Sequence, residues 1–230
     1  MSKNNGSLYL SGGMEASKDN GLAWRRVVSE KLEELNFFPV DIAAFDLEYI
    51  KKHGPVYLDT DPKNYLQYKS NIRHQFIYTD LRLIVDDCDA VVAYYDQSFK
   101  DGAGSFAECQ CAYDHSKPLF VVSALPRVPS WLKSLSTKLF FNFEDLYHYL
   151  AKLPDNILKV DRYGNHGSRN EYLCSLCGDV FEKSKHHFVS KVSPLLCIRC
   201  VDLVRNTHEE NADRYQFISE YITSIKDKQC

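Results

Sequence analysis

The chain has 230 residues, of which 44% are hydrophobic, and a formal net charge of −3 at pH 7. This length and composition allow a substantial core, as one medium-sized domain with an appendage. The small negative charge argues against a protein that coats nucleic acid along its whole surface. No apolar run approaches the ~18 residues needed to cross a membrane, and the polar start Met1-Ser-Lys-Asn-Asn5 is not typical of a signal peptide. We therefore expect a cytoplasmic protein without a membrane span.

The chain begins with a short strand and an amphipathic helix. Leu8-Tyr-Leu10 predicts the strand, and Ser11-Gly-Gly13 is the loop that leaves it. The glycines in this loop suit a ligand-binding loop and equally a plain turn into a helix. Apolar residues at helical spacing predict the helix over 21–36, where we interpret Trp24 and Arg25 as packing and surface residues rather than ligand contacts.

A second strand, a weakly patterned insertion and another amphipathic helix follow. Residues 37–42 predict the strand, with Pro39 tolerated near its start or at a sheet edge. Residues 43–68 read as a partly helical insertion near the mouth of a site, because long loops without structure are uncommon. Residues 69–86 have an apolar helical face and carry Asp80, which taken alone is an ordinary solvated acid.

The most informative stretch is Asp101-Gly-Ala-Gly-Ser-Phe-Ala-Glu108-Cys-Gln-Cys-Ala112. It follows the run 90–95, which is short, β-branched and aromatic and therefore predicts a buried strand. Ser105 is a candidate N-cap, which places Glu108 in the first turn of a helix at the carboxyl end of a central strand. Ligands collect at that edge of open α/β sheets. An acid in a first turn can also simply complement the helix dipole.

The remaining elements complete a parallel sheet. We predict strands over 118–124 and 138–142, a short helix over 130–135 and a closing helix through 145–153. Strands that alternate with helices form parallel sheets with right-handed crossovers. The predicted fold class is therefore α/β, a flavodoxin-like or Rossmann-like parallel five-stranded sheet with helices on both faces, followed by a small cysteine-containing module and a terminal helix.

The C-terminal part has the cysteine spacing of a structural zinc site. The polar, glycine-containing stretch 156–170 is typical of a linker. Cys174-Ser-Leu-Cys177 is followed, after 19 residues, by Cys197-Ile-Arg-Cys200. The alternative is four ordinary buried cysteines, but two such pairs suit a tetrahedral structural zinc, which should supply much of the folding energy of so small a segment. We divide the chain into an α/β domain (1–155), a linker (156–170) and a zinc-binding module with a C-terminal helix (171–230).

The α/β part resembles the nucleoside 2-deoxyribosyltransferase family, which also includes nucleotide N-glycosidases. The resemblance covers residues 7–153. It is carried by Leu8-Tyr-Leu-Ser-Gly-Gly-Met14, by Asp80-Leu-Arg-Leu-Ile-Val-Asp-Asp-Cys-Asp-Ala-Val-Val-Ala-Tyr-Tyr95 and by the Glu108 stretch. It implies cleavage or exchange of the N-glycosidic bond of a (deoxy)nucleoside or nucleotide, with a base or water as the acceptor. It also implies a homo-oligomer, because neighbouring subunits complete the site in transferases of this family.

The same resemblance implies roles for particular residues. Glu108 matches the nucleophile, whose carboxylate stabilises or bonds the anomeric carbon as positive charge develops there. Asp80 matches an aspartate that reaches the active site, where it orients Glu108 or exchanges a proton with the base. The residues expected to bind substrate are Tyr9, Gly12, Gly13, Asp101, Gly104 and Ser105. The loop at Asp101 has extra residues relative to the family's pattern.

A histidine pair, His186-His187, lies between the two cysteine pairs. This arrangement resembles zinc-stabilised HNH nucleases. However, the gap to Cys197 is short and contains no asparagine, and Val201 stands where a histidine is usual. We therefore interpret the segment as a degenerate treble clef. An apolar stripe predicts a helix over 208–227 that packs on the main domain or on a second subunit.

Two further functions remain open beside a glycosidic-bond enzyme acting on nucleosides or nucleotides. One is a glycohydrolase of NAD-type dinucleotides, because a glutamate on an α/β sheet also serves that chemistry. The other is a non-catalytic nucleotide sensor or nucleic-acid-binding protein. Residues 156–207 have 8 basic and 5 acidic side chains, too mild an excess to establish nucleic-acid binding through the zinc module.

Overall fold

The computed structural model describes residues 5–14, 16–53, 66, 69–70, 72–159, 171–182, 186–187 and 196–203. Five strands form its central sheet: β1 (Ser7–Gly12), β2 (Phe38–Val40), β3 (Ala90–Tyr95), β4 (Leu119–Ser123) and β5 (Lys138–Phe140). Their order is β2-β1-β3-β4-β5, and every adjacent pair is parallel. The predicted α/β class is confirmed, and the order is that of flavodoxin-like sheets.

Helices cover both faces of this sheet. They are α1 (Leu22–Glu34), α2 (Ile42–His53), α3 (72–87), α4 (Gln97–Asp101), α5 (Gly104–Asp114), α6 (Ser130–Leu135) and α7 (Phe143–Leu150). Buried residues of α3 to α6 pack with one set of strand side chains. Buried residues of α1 and α7 pack with the other set. The result is a three-layer molecule with a core on each side of the sheet.

The side chains of β1 alternate between these two cores. Tyr9 belongs to the core under α3 to α6, whereas Leu8 and Leu10 belong to the core under α1 and α7. This alternation is the period of two that every strand has. It directs Tyr9 and Ser11 toward the same side of the sheet, which matters for the site described below.

The second strand is shorter than predicted. β2 ends at Val40, and Ile42 already begins α2. Pro39 is tolerated because β2 is an edge strand that pairs only with β1 in this sheet. The helical part of the predicted 43–68 insertion is α2, and most of the rest of that insertion lies outside the described residues.

The helix that carries Asp80 is irregular. An α-helical stretch (Tyr78–Arg82) is flanked by π-helical stretches, Ile72–Ile77 and Leu83–Asp87. Such wide turns often occur at functional sites. They also disturb the predicted apolar face, because Ile77 is 52% exposed while Ile84 is fully buried.

A small cysteine module follows the α/β part. Its strands are β6 (Glu171–Leu173), β7 (Val180–Glu182), β8 (His186–His187) and β9 (Leu196–Cys197), and they form two antiparallel pairs. Residues 198–203 are helical. The predicted terminal helix and the linker beyond residue 159 lie outside the described residues.

The module packs against β5, the edge strand of the sheet, and against the neighbouring helix α7. Tyr149 Oη donates a hydrogen bond of 2.6 Å to the carbonyl of Gly178, and Lys138 Nζ lies 3.5 Å from an oxygen of Asp179. Leu173 is buried in the core under α1 and α7, together with Ile157. Among the described residues, no helix is long and apolar enough to cross a membrane.

Candidate active site

The candidate site lies where β1 and β3 are neighbours. The chain leaves β1 for β2 on one side and leaves β3 for β4 on the other. Loops that leave two such strands separate and open a crevice at the carboxyl edge of the sheet. β1 ends at Gly12 and Gly13 begins the loop that follows, and the segment after β3 leads through α4 into α5, which carries Glu108.

Both carboxylate oxygens of Glu108 accept a hydrogen bond from a hydroxyl of β1. Tyr9 Oη donates to Oε1 at 2.8 Å, and Ser11 Oγ donates to Oε2 at 2.6 Å. Tyr9 and Ser11 can both reach the carboxylate because residues two apart on a strand point the same way. Ser11 is a residue that the sequence interpretation missed as a site residue, although the alternation from Tyr9 already indicated its direction.

The start of α5 differs from the prediction. The helix begins at Gly104, Ala103 is its N-cap, and no side chain caps it. Ser105 is therefore a buried residue inside the helix rather than the N-cap. Glu108 consequently lies in the second turn, two residues further from the N-cap than predicted. The helix dipole acts mainly within the first turn, so dipole complementarity does not explain why an acid is placed here.

Two further acids near the site, Asp80 and Asp46, have raised pKa values. Burial raises the pKa of Asp80, on α3, to about 8, and the charges of Glu108 and Asp46 contribute to this rise. Burial also raises the pKa of Asp46, on α2, to about 6, although the positive charge of Arg25 opposes the rise. At neutral pH, Asp80 is therefore mainly protonated while Asp46 is mainly ionised.

The protonation of Glu108 depends on opposing effects. The net result is a pKa above the ordinary value of a glutamate: burial raises it, and the hydrogen bonds from Ser11 and Tyr9 and the charge of Arg25 only partly oppose that rise. Burial, and then the charge of Glu108, hold the pKa of Tyr9 well above its ordinary value. Tyr9 therefore keeps its proton at neutral pH and remains a hydrogen-bond donor.

Arg25 is a correction to the sequence interpretation. Trp24 packs as expected, against Tyr94 and Phe143. Arg25, however, is only 2% exposed and is not a surface residue. The signal was present in the sequence, because Arg25 lies on the same buried face of α1 as Val28 and Leu32.

The two glycines after β1 are required by close packing. A Cβ on Gly13 would lie 2.3 Å from the backbone carbonyl carbon of Ser98, at the start of α4. A Cβ on Gly12 would lie 2.6 Å from a ring carbon of Trp24. The loop therefore passes directly over neighbouring backbone and ring atoms. Gly104 is different, because a Cβ there would meet nothing within 4 Å.

The structure places Asp101 at the end of α4, where it is exposed. Its carboxylate oxygens accept hydrogen bonds of 3.1 and 3.0 Å from Gln97 Nε2. Asp96, one residue after β3, caps the other end of α4 by accepting from the Phe99 amide at 2.9 Å. Of the predicted substrate-binding residues, Tyr9 thus contacts Glu108, and Ser11 contacts it as well. The described hydrogen bonds of Asp101 stay within its own helix.

The four predicted metal ligands come together in the C-terminal module. The sulfur atoms of Cys174, Cys177, Cys197 and Cys200 all lie within 4.8 Å of one another. A tetrahedral zinc with bonds of about 2.3 Å requires sulfur atoms about 3.8 Å apart, and the sulfurs of Cys177 and Cys197 are 3.9 Å apart. The backbone N–H of Cys197 also donates to Cys174 Sγ at 3.4 Å. The four cysteines are unpaired thiols, so the cluster fits a metal ion.

Comparisons with known proteins identify little beyond this geometry. No family model matches the chain, and no curated protein matches it. Among solved structures, the chain is similar to a 2-deoxyribosyltransferase from Bacillus psychrosaccharolyticus, with 13% sequence identity and a TM-score of 0.42. The match covers 62% of this chain and 91% of that one. A similarity at this level carries no argument about activity, so the function must be inferred from the site itself.

Proposed function

We propose that this protein cleaves or exchanges the N-glycosidic bond of a (deoxy)nucleoside or nucleotide, with Glu108 as the nucleophile. The observation that carries the proposal is the arrangement around Glu108. Its two carboxylate oxygens accept hydrogen bonds from Tyr9 and Ser11 at the carboxyl edge of the sheet. The protonated carboxyl of Asp80 is close enough for the charge of Glu108 to affect its pKa.

The reaction occurs in two displacements. In the first, a carboxylate oxygen of Glu108 bonds to the anomeric carbon as the bond from that carbon to the base nitrogen breaks, and the electron pair of that bond leaves with the base. In the second, water or another base attacks the same carbon, the bond to Glu108 breaks with its electron pair returning to the carboxylate, and the proton that the attacking group loses passes to the carboxylate of Asp80. Water gives hydrolysis, and a base gives exchange. A carboxylate suits both displacements because positive charge develops at the anomeric carbon.

Asp80 supplies the proton that the departing base requires. A carboxyl with a pKa of about 8 is protonated at neutral pH and can donate to a base nitrogen. Burial raises the pKa of Glu108 as well, but two hydrogen bonds and the charge of Arg25 oppose that rise, and the charge of Glu108 in turn raises the pKa of Asp80. Two carboxyls whose environments separate their pKa values are the usual basis for separate acid and nucleophile roles.

Tyr9 and Ser11 orient the nucleophile. Each hydroxyl occupies one lone-pair direction of the carboxylate, so the carboxylate is held in one orientation and its remaining lone pairs point in fixed directions. Gly12 and Gly13 at the end of β1, Asp101 at the end of α4, and Gly104 and Ser105 at the start of α5 are the other residues assigned to substrate binding. The four-cysteine module holds one structural zinc ion, because four thiolates suit zinc best, and it has no part in the chemistry.

A panel of substrates tests this function. The protein is incubated with nucleosides, 5′-monophosphates and NAD, each with and without an added free base, and the released or exchanged bases are separated by chromatography. Release from a nucleoside or nucleotide that Glu108→Gln abolishes is the expected result. Release of nicotinamide from NAD alone would instead favour a dinucleotide glycohydrolase. Binding without turnover of any member of the panel would contradict an enzymatic role.

A further inference from the structure

The side chain of Arg25 is bound to the backbone on both sides of Ser11. Its Nη2 donates to the carbonyl of Gly12 at 2.8 Å, and its Nε donates to the carbonyl of Leu10 at 3.4 Å. Leu10 and Gly12 flank Ser11, whose hydroxyl donates to Glu108. Because the guanidinium binds the backbone of both neighbours of Ser11, it fixes the backbone position of Ser11 and so the direction of its hydroxyl toward Glu108.

The same side chain joins the two ends of the connection between β1 and α1. Arg25 Nη1 donates to the carbonyl of Gly21 at 3.0 Å, on the turn that opens α1. Gly21 has φ +70, and a Cβ there would lie 2.8 Å from the carbonyl oxygen of Gly13. The two ends of the connection are thus in contact, and Arg25 binds both.

The charge of Arg25 is only partly neutralised, because its ion pair with a carboxylate is long. Among the described residues, the carboxylate that forms an ion pair with Arg25 is that of Asp41, with an oxygen 3.7 Å from Nε. Its hydrogen bonds are to neutral carbonyls. A buried cation bound to neutral groups keeps a long-range field inside the protein, because little water screens it. Arg25 therefore interacts electrostatically with surrounding carboxylates, including Glu108 and Asp41.

We propose that Arg25 is a positioning residue of the site: it holds the backbone around Ser11 in place and supplies a positive charge that favours the ionised form of Glu108. The inference rests on the proposed function of Glu108. Among the described residues, the titratable groups coupled to the charge of Glu108 are Tyr9 from β1, Arg25 from α1, Asp80 from α3, and Cys109 and Cys111 on α5 itself, and Ser11 from β1 donates a hydrogen bond to it. Arg25 is the one cation among them.

The decisive measurement is the titration of Glu108 itself. Protein labelled with ¹³C at the glutamate carboxyl carbons is titrated by NMR, and the Glu108 signal is identified by its absence from Glu108→Gln. Arg25→Met should raise the pKa of Glu108 by about one unit, as expected when a nearby opposite charge is lost. Arg26→Met removes the adjacent cation from an exposed position of α1 and should leave that pKa unchanged. Equal titration of Glu108 in the wild type and in folded Arg25→Met would overturn the proposal.

A second variant keeps the test decisive if Arg25→Met does not fold. Asp41→Asn removes the acid that partly neutralises Arg25, and the asparagine can still accept the hydrogen bond that Asp41 takes from the amide of Ala44. It should lower the pKa of Glu108. An unchanged or higher pKa in folded Asp41→Asn would overturn the charge role.

Arg25→Lys separates the two parts of the role. Lysine keeps the charge but cannot make the same forked contacts with carbonyls, so the pKa of Glu108 should stay near its wild-type value while kcat/KM falls about tenfold. Full kcat/KM in Arg25→Lys would remove the positioning part. The titration does not require turnover, so a failure of the proposed function, seen as undiminished activity in Glu108→Gln, is distinguishable from a failure of this inference.

Discussion

At the scale of single residues, the site combines a carboxylate held by two hydroxyls with a second carboxyl that keeps its proton. Tyr9 and Ser11 bind the two oxygens of Glu108. Burial and the charges of two other acids raise the pKa of Asp80 to about 8. In the proposed function, this difference between the two carboxyls lets Glu108 attack while Asp80 donates a proton.

The nucleophile can be tested by one isosteric change. In Glu108→Gln, the amide oxygen can still accept one hydrogen bond, but the charge that attacks the anomeric carbon is gone. Base release should fall by about 1000-fold or more, as when other catalytic nucleophiles are removed, with little change in melting temperature. Glu30→Gln, on the exposed face of α1, is the matched control and should retain wild-type turnover. Activity of Glu108→Gln within a few-fold of wild type would sink the assignment.

The acid role of Asp80 predicts a basic limb in the pH–rate profile. Because the pKa of Asp80 is raised to about 8, the donor is present below pH 8 and is lost as the pH rises through that value. The rate of base release should therefore fall above pH 8 for substrates whose base requires a proton. Asp80→Asn should be slower and should lack this limb. A basic limb that persists unchanged in Asp80→Asn would assign the proton to another group.

The same shift predicts how stability depends on pH. Between the ordinary pKa of an aspartate, 3.8, and about 8, the folded protein holds a proton on Asp80 that the unfolded chain has released. Stability should therefore decrease as the pH rises through this interval. Asp80→Asn should melt higher than the wild type at pH 8.5 and should differ less from it at pH 4. The measurement is thermal unfolding followed by circular dichroism, and a difference independent of pH would contradict the shift.

At the scale of elements, the site depends on how closely the loop after β1 approaches α4. A Cβ on Gly13 would collide with the backbone of Ser98, and backbone atoms at that point cannot move aside as a flexible side chain can. Gly104, at the first position of α5, has open space around it. The two glycines thus have different reasons to be present.

A pair of alanine substitutions separates these reasons. Gly13→Ala should destabilise the fold by about 2 kcal/mol or more, within the range for overpacking. Gly104→Ala should be neutral or should stabilise it by up to about 1 kcal/mol, because alanine is the better helix former. Urea denaturation of both variants beside the wild type measures the difference. Equal stability of the two variants would show that the close approach at Gly13 is not a constraint.

At the scale of the whole molecule, the cysteine module contacts the α/β part through hydrogen bonds, ion pairs and a shared core. Tyr149, on α7, donates to the carbonyl of Gly178, which follows directly on Cys177. Asp179 contacts Lys138 of β5 and also Arg199, which lies between the last two cysteines. Leu173 is buried in the core of the α/β part. Binding of metal by the four cysteines should therefore be linked to the stability of that edge of the sheet.

Metal removal tests this linkage. Elemental analysis should find about one zinc per chain. Loss of the ion to a chelator, or Cys200→Ser, should unfold the module and lower the protection from hydrogen exchange of amides in β5 and α7. Protection of β1 and β3 should change less. A metal-free protein with the melting curve of the native one would refute the zinc assignment, and loss confined to residues 171–203 would refute the linkage to the sheet.

The sequence alone determined the order of the elements, the helix that carries Glu108 and the grouping of the four cysteines. The run 90–95, the helix that carries Glu108 and the five strands follow from short-range periodicity, which the structure confirms. The spacing of the four cysteines likewise predicted that their sulfur atoms would meet. These features depend on residues close together in the chain, so local preferences are enough to determine them.

Only the tertiary structure decided what surrounds Glu108. Ser11 and Glu108 are 97 residues apart in the chain, and they meet because β1 and β3 are adjacent strands. Arg25 is buried rather than exposed because the carbonyls of Leu10, Gly12 and Gly21 together satisfy its N–H groups. A charged residue can be buried only where such partners converge, and their convergence is a property of the folded chain, not of any local stretch of sequence.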